Sequence, residues 1–363
     1  ISHVYCYREA AIKTDDSRLK VQSTNLESFF TTWIGSKNDG DFAVALPAKT
    51  LTDVVNVSPA DEITLTYDPR TVTITLKSGG FKSDIKGIDP EEFPIISPVG
   101  DGYELSAFEL SRAIATTAFA ASTEEARPVL TGINITRQDD LLIFAATDGY
   151  RLAKSHLFAR TTQPLNVIVP SVALQRLNDI IKRAAVTDHV TMSLVNDNAI
   201  GFKNETFEIV AMLLEGNYPD FNRIIPTAPT TTVSAVLDDI IRACTAAAIF
   251  ARANAHTIRF KCRTLKPDES GNNVYPAGIE IESQSAEVGS HHSFTYADVT
   301  GEDVEIAFNV KYLAQHLRAI ESLTIGKDAK VQMEFGAPQT PGVFKPTDVA
   351  HILHVIMPVR LGK

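Results

Sequence analysis

The sequence predicts an α+β protein of three similar domains, in which helices cover one face of antiparallel sheets. Short runs that alternate apolar and polar residues are more numerous than stretches with helical periodicity. The chain has 363 residues, which is too long for a single hydrophobic core. An internal repeat places the domains near residues 1–99, 100–226 and 227–363.

The repeat consists of a strand that leads into a helix, followed by further strands that end before a proline. The helix entries are at Pro47, Pro170 and Val310, and the closing prolines follow 47, 49 and 48 positions later. Proline is tolerated in the first turn of a helix, because the N–H it lacks would have no partner there. Three copies of one plan therefore predict three domains of related fold.

Two copies open with an additional helix, predicted at residues 106–120 and 236–249, whereas the first copy starts directly at a strand, residues 4–7. Apolar residues three and four apart predict the buried side of each helix. In chain order these residues are Leu51, Val54 and Val55; Leu110, Ala113, Ile114 and Thr117; Leu174, Leu177, Ile181 and Ala184; Leu237, Ile240, Ile241, Cys244 and Ala248; and Leu313, Leu317 and Ile320.

Strands are predicted between the helices from their alternating pattern, for example at residues 62–67, 71–77, 190–194 and 278–282. Residues 266–277 are rich in Asp, Asn, Gly and Pro, which is typical of an exposed insertion.

The composition excludes several classes of protein. No apolar run approaches the ~18 residues that a membrane helix needs. Three cysteines without CxxC spacing indicate neither a disulfide framework nor a thiolate metal site. The net charge of −10 argues against a protein that coats nucleic acid by bulk electrostatics. We therefore expect a cytoplasmic protein that does not enter membranes.

Motifs for catalysis are absent from the sequence, including the phosphate-binding, serine-hydrolase, zinc-protease and EF-hand patterns. His291 and His292 have no carboxylate or third ligand at metal spacing and are predicted to lie in an exposed loop. Asp148 has no acid partner or nucleophile nearby in sequence and is interpreted as a turn residue. The sequence thus predicts no enzymatic activity, no metal and no cofactor, and a hydrolase that uses Asp148 with a histidine is a competing hypothesis.

The segment A-A-T-D-G-Y-R-L-A, residues 145–153, contains a predicted tight turn between two strands. An aromatic ring, a guanidinium and an aliphatic side chain follow Gly149 at once, which is a composition suited to a small docking site. An ordinary hairpin turn is the alternative interpretation of these nine residues.

Cations are in mild excess on the helix faces opposite the apolar positions, although acidic residues are interspersed among them. Solvated helix faces would explain this pattern, as would an arrangement that brings the cations together to hold phosphates weakly and without reading bases. The residues predicted to face DNA are Arg112, Arg176, Lys182, Arg183, Arg242, Lys311 and Arg318.

Five motifs together carry a resemblance that covers essentially the whole chain. They are R-P-V-L-T-G at 127–132, A-T-D-G-Y-R-L-A at 146–153, E-G-N-Y-P-D-F-N-R-I-I-P at 215–226, F-N-V-K-Y-L at 308–313 and V-I-M-P-V-R-L at 355–361. In these motifs and in their order the chain resembles the β subunit of bacterial DNA polymerase III, the sliding clamp family. The resemblance implies a DNA replication processivity factor: a head-to-tail homodimer of three-domain chains, closed as a ring around double-stranded DNA.

The family resemblance also implies a cleft that binds short linear peptides of DNA polymerase subunits and the clamp loader. A glycine-flanked apolar groove with arginines at its rim suits an extended peptide with Leu and Phe anchors. The residues that the resemblance assigns to this cleft are Leu130, Thr147, Gly149, Tyr150, Arg151, Leu152, Pro219, Arg223, Ile224, Asn309, Tyr312, Val355, Met357, Pro358, Val359 and Arg360.

The chain departs from the family pattern in three places. The opening helix of the first domain is missing, Tyr150 stands where many relatives carry histidine, and Gly362 and Lys363 extend past the leucine that commonly ends the family. An adaptor that is built of repeats and binds peptides without encircling DNA is the alternative function.

Overall fold

In the computed structural model, residues 9–60, 62–94, 97–159, 164–186, 188–252, 254–267, 274–323, 326 and 328–360 are described. The chain divides into two compact units. Unit 1 comprises Ile1–Ala107 and Val186–Leu213, and unit 2 comprises Phe108–Ala185 and Leu214–Lys363. Because the division falls inside the predicted second domain, the three-domain organisation stays a prediction.

The described residues form five helices, which are α1 Ala48–Asn56, α2 Ala107–Ala115, α3 Ser171–Arg183, α4 Leu237–Ala251 and α5 Val310–Glu321. The strands in the first half of the chain are β1 Glu9–Asp15, β2 Arg18–Thr24, β3 Ser28–Gly35, β4 Ala43–Pro47, β5 Thr64–Asp68, β6 Thr73–Ser78, β7 Phe81–Lys86, β8 Tyr103–Ser106, β9 Gly132–Gln138, β10 Leu141–Thr147, β11 Arg151–Phe158 and β12 Asn166–Pro170. The later strands are β13 His189–Asn196, β14 Ala199–Lys203, β15 Phe207–Met212, β16 Thr231–Val236, β17 Thr257–Arg263, β18 Lys266–Pro267, β19 Val274–Tyr275, β20 Gly278–Ser285, β21 Gly289–Gly301, β22 Val304–Asn309, β23 Lys330–Phe335, β24 Gly342–Pro346 and β25 Ile352–Ile356.

Unit 1 contains an antiparallel sheet of eight strands in the order β4-β1-β2-β3-β15-β14-β13-β8, together with a three-stranded sheet β5-β6-β7. Ile12, Val44, Leu46, Ile74 and Ile85 form a buried cluster that joins strands of both sheets. In β1, β6 and β7 the next residue after Ile12, Ile74 and Ile85 is polar, so one face of these strands is apolar and the other is polar.

Unit 2 is organised on an antiparallel sheet of twelve strands in the order β12-β9-β10-β11-β25-β24-β23-β16-β21-β20-β17-β22. Helices α4 and α5 pack on it over a core that includes Phe260, Phe308, Phe335 and Phe344. The long strand β21 pairs with β20 in its first part and with β16 in its last part, which makes the sheet continuous. The predicted α+β class with antiparallel sheets is confirmed.

All five predicted helices are present, and each predicted strand-to-helix entry is found: β4 runs into α1, β12 into α3 and β22 into α5. Helix α2 is shorter than predicted, because the chain tightens into a 3-10 turn at Ala118–Ala120. Two residues assigned to buried helix faces, Val55 and Ala184, are exposed, since each lies at the end of its helix.

The four predicted strands correspond to β5, β6, β13 and β20, with ends that differ by a few residues. The predicted strand at residues 4–7 lies outside the described residues, as does the middle of the predicted insertion, which begins and ends in β18 and β19. No helix in the described ranges is long and apolar enough to cross a membrane.

Candidate partner-binding site

The turn between β10 and β11 is fixed by its own side chains. Asp148 Oδ1 accepts hydrogen bonds from the N–H groups of Tyr150 (2.9 Å) and Arg151 (3.0 Å). Thr147 Oγ1 accepts from the N–H of Gly149 (3.1 Å) and donates to the carbonyl oxygen of Arg151 (2.6 Å). Gly149 has a φ of +92°, a backbone region that side-chain-bearing residues rarely adopt. The interpretation of Asp148 as a turn residue is confirmed, and its occupied carboxylate is poorly suited to act as a base.

Arg151 lies under this turn, with only 8% of its surface exposed. Its Nε donates to Asp148 Oδ2 (2.9 Å), its Nη2 donates to the carbonyl oxygen of Phe119 (2.7 Å) and its Nη1 bonds Gln315 Oε1. The guanidinium carbon is 4.6 Å from the centre of the Tyr312 ring. Arg151 was expected at the rim of the cleft, and this expectation is wrong, because its hydrogen bonds draw the guanidinium inward to join the turn to α5.

Tyr150 is the exposed aromatic residue of the turn, with 64% of its surface accessible. Its ring is nearly parallel to that of Tyr312 on α5, with an angle of 20° and 6.5 Å between ring centres. Burial is the main cause that raises the pKa of Tyr312, and the charge of Asp148 adds to it. The Tyr312 phenol is therefore neutral at neutral pH, and the two rings offer an apolar face with a polar tip.

Leu152 and Val355 form the apolar layer beneath the site, paired across β11 and β25. They are 0% and 1% exposed, respectively, and pack with Ile143, Val343 and Phe221. Two other predicted cleft residues, Ile224 and Met357, are 39% and 38% exposed. Tyr150, Ile224 and Met357 are thus exposed apolar residues of the predicted cleft, while Leu152 and Val355 are buried.

Tyr218 connects three chain segments of the site and is absent from the sequence-based set. Its hydroxyl accepts a hydrogen bond from the N–H of Thr147 (3.0 Å) and donates to the carbonyl oxygen of Gly132 (3.5 Å). Burial raises the pKa of this phenol well above its ordinary value. Phe119 and Gln315 were also missed. Tyr218 could have been identified, because it precedes Pro219 in one of the recognised motifs.

The C-terminal tail reaches the same site through backbone hydrogen bonds. The N–H of Met357 donates to the carbonyl oxygen of Tyr150, and the N–H of Val359 donates to that of Ala307, both at 2.8 Å. Asn309 begins α5 and accepts from the N–H of Lys311 (2.9 Å). All sixteen residues that the sequence assigns to the cleft lie in unit 2. Leu130 and Thr147 are buried, Pro358 and Val359 are partly exposed, and Arg223 and Arg360 are exposed.

The cations predicted to face DNA belong to two groups. Arg112 pairs with Glu109, Arg176 with Asp179 and Arg242 with Asp239, each on its own helix. Such pairs weaken the field that a phosphate would meet. The other group contains Lys182, Arg183, Lys311 and Arg318, all of which are exposed.

His291 and His292 lie in strand β21, so their assignment to a loop is wrong. The register of β20 and β21 places His292 opposite Glu282, and Glu280, Glu282 and His292 offer ligand atoms within 4.8 Å of one another. Both carboxylates already bind cations, Glu280 at Arg263 (3.0 Å) and Glu282 at Lys261 (2.7 Å). A metal ion would have to compete with these cations for the carboxylate charge.

Two family models match the chain in succession: DNA polymerase III beta subunit, central domain, over residues 104–220, and DNA polymerase III beta subunit, C-terminal domain, over residues 222–360. The chain is 32% identical over 327 residues to the beta sliding clamp of Staphylococcus epidermidis, a match that covers 88% of the chain and 80% of that protein.

Solved structures agree with these sequence matches. The beta chain of DNA polymerase III from Streptococcus pneumoniae is 26% identical to this chain and superposes with a TM-score of 0.83. The match covers 99% of this chain and 93% of that one. The beta subunit from Thermotoga maritima has the same fold, with a TM-score of 0.85 at 19% identity, and the match covers 98% of this chain and 92% of that one. By sequence and by fold, the chain belongs to the beta subunit family of DNA polymerase III, the beta sliding clamps.

Proposed function

We propose that this chain is a DNA polymerase processivity factor, a non-catalytic ring that encircles double-stranded DNA and recruits its partners through short peptides. The observation that carries the proposal is the site in unit 2, where the β10–β11 turn, the segment with Tyr218, α5 and the C-terminal tail meet and leave Tyr150 and Met357 exposed. Membership of the sliding clamp family supports the same function. Polymerase subunits and the clamp loader are the partners that we assign to this surface.

Peptide docking on this surface needs only modest affinity. A ring that stays on DNA keeps its partner at high local concentration, so each dissociation is followed by rapid rebinding. Exposed Lys182, Arg183, Lys311 and Arg318 would contact phosphates without reading bases. Retention by enclosure combined with weak phosphate contacts permits sliding.

The proposed ring consists of two chains in a head-to-tail arrangement, and two of the open strand edges are suited to this assembly. Among the described strands, β7 pairs with β6 alone, and residues 289–296 of β21 pair with β20 alone. Unpaired N–H and C=O groups at such edges are templates for a second chain. We assign the two edges to the dimer interface. A solution mass equal to that of one chain across the micromolar concentration range would contradict this assignment.

Retention on DNA tests the enclosure directly. Loaded with a clamp loader, the protein should remain on closed circular DNA and leave after the circle is cut once. Equal retention on linear and circular DNA would favour the alternative, a peptide-binding adaptor that does not encircle DNA. A peptide with Leu and Phe anchors should bind in either case, so peptide titration tests the site separately from the ring.

A further inference from the structure

Two cations lie against the chain's one tryptophan on the solvent face of the unit 1 sheet, and a third lies one strand further along the same face. Lys20 lies directly across from Trp33 in the pairing of β2 and β3, and Lys13 lies across from Lys20 in the pairing of β1 and β2. The Lys20 Nζ is 5.4 Å from the centre of the indole ring, and the Arg18 guanidinium carbon is 5.5 Å from it. We call Lys13, Arg18, Lys20 and Trp33 the Trp33 patch.

The opposite face of these strands carries the core, so the Trp33 patch is not part of the packing. Ile12, beside Lys13 in β1, is 2% exposed and belongs to the buried cluster, with Leu19 and Val21 of β2 packed against it. Since side chains alternate between the two faces of a strand, Lys13 and Lys20 share the outer face. Lys13 and Arg18 are exposed, and Lys20 and Trp33 are partly exposed.

The cations of the Trp33 patch make no direct ion pair with a carboxylate, although Glu208 and Asp15 act on the charge of Lys20. In the part of the chain that the structure describes, Lys13, Arg18 and Lys20 form no ion pair, and Arg18 donates only to the backbone oxygen of Glu205 (3.3 Å). The nearby carboxylate of Asp15 accepts instead from the indole Nε1 (2.6 Å).

The paired sheet cations of unit 2 form a contrast with this patch. Arg259, Lys261 and Lys345 lie 2.9, 2.7 and 2.7 Å from glutamate oxygens.

Placing two lysines directly across a strand pair is unfavourable, because like charges on opposed residues repel each other. Burial and then the charge of Lys13 lower the pKa of Lys20, while Glu208 and Asp15 act in the opposite direction. An anion placed between the two lysines would relieve the repulsion. In a chain with a net charge of −10, a cationic cluster without direct ion pairs indicates a local anionic ligand rather than a general property of the surface.

We propose that the Trp33 patch binds single-stranded nucleic acid, with the three cations on successive phosphates and a base stacked on the Trp33 ring. An acidic peptide would pair with the cations but would offer no flat base to stack on the indole ring. A single strand supplies both a row of phosphates and flat, unpaired bases, the combination that sheet-surface platforms recognise. On binding, Arg18 and Lys20 move from the indole to the phosphates, and a base takes their place against the ring. This surface is separate from the peptide site of unit 2.

The emission of Trp33 reports directly on this proposal, because no other tryptophan is present. Titration of the full chain with a short oligothymidylate at low salt should quench that emission. Affinity should fall with salt concentration with a logarithmic slope of about −2, as expected for three phosphates on a single strand. Lys13→Gln and Lys20→Gln should each reduce the slope by about 0.7.

A control variant separates the patch from other basic surfaces. Lys82→Gln removes an exposed lysine of the same unit that pairs with Asp84. It should leave the oligothymidylate titration unchanged. The proposal is overturned if the emission does not respond, if Lys13→Gln and Lys20→Gln keep the full slope, or if polyglutamate of equal charge competes as well as the oligonucleotide.

Discussion

Two Asp–Arg ion pairs with the same connectivity, one buried and one exposed, allow the effect of burial on the stability of the candidate site to be measured. Asp148 and Arg151 are joined Nε to Oδ2 at 2.9 Å, and Asp220 and Arg223 are joined in the same way at 3.1 Å. Their side chains differ in exposure: 8% and 13% for Arg151 and Asp148, but 85% and 55% for Arg223 and Asp220. We predict that Arg151→Met destabilises unit 2 far more than Arg223→Met does.

The magnitude follows from what each substitution leaves behind. Arg151→Met removes the partner of a buried carboxylate and two further hydrogen bonds, to Phe119 and Gln315. Breaking a buried pair in this way costs about 3–5 kcal/mol of unfolding free energy. The exposed pair is worth about 0–1 kcal/mol, because water replaces the lost partner at Asp220. The expected difference is about 3 kcal/mol, with methionine preserving most of the arginine stem in both variants.

Amide hydrogen exchange suits the measurement, because it reports the local stability of β10 and β11 separately from the stability of unit 1. Amides of residues 141–158 should lose protection strongly in Arg151→Met and only slightly in Arg223→Met. A difference below about 1 kcal/mol would refute the view that Arg151 is a buried structural tie. An Asp148→Asn variant should resemble Arg151→Met, because it also removes one charge of the buried pair.

Further predictions concern Tyr218, Met357 and His354. Tyr218→Phe should cost about 1–3 kcal/mol and speed exchange of the Thr147 amide, because that buried N–H loses its acceptor; Tyr296→Phe, at an exposed ring, should do neither. Met357→Ala should weaken binding of a Leu-Phe peptide by about 1–2 kcal/mol without changing the unfolding midpoint, and unchanged affinity in a calorimetric titration would argue against this surface as the peptide site. Burial lowers the pKa of His354 from 6.5 to about 4, so the unfolded chain takes up this proton first. The neutral, buried state of His354 therefore contributes its full stabilisation above about pH 6.5, and the free energy of unfolding falls by about 3 kcal/mol as the pH is lowered towards 4. Denaturant midpoints measured against pH should show this loss of stability, and His354→Gln should make the loss smaller.

The sequence by itself determined the class of the fold, the five helices and most of their buried faces. Leu110, Leu177 and Leu317 were predicted to be buried from spacing alone, and each is almost fully buried, because helical periodicity and the apolar face report the same physical demand. The turn role of Asp148 was also local, since the N–H groups that donate to its carboxylate lie within three residues. Helix ends were less well determined: Val55 and Ala184 fit the spacing but are exposed at the ends of α1 and α3.

Only the tertiary structure decided which site residues reach solvent. Leu152 and Met357 are both apolar in sequence, yet Leu152 is buried and Met357 is accessible. Leu152 is buried because Tyr218 and Phe221, some seventy residues further along the chain, pack in the same cluster. Arg151 turned inward for the same reason, since its acceptors at Phe119 and Gln315 are brought to it by other elements. Burial is a property of contacts between segments, and a local pattern records which face is apolar but not what covers it.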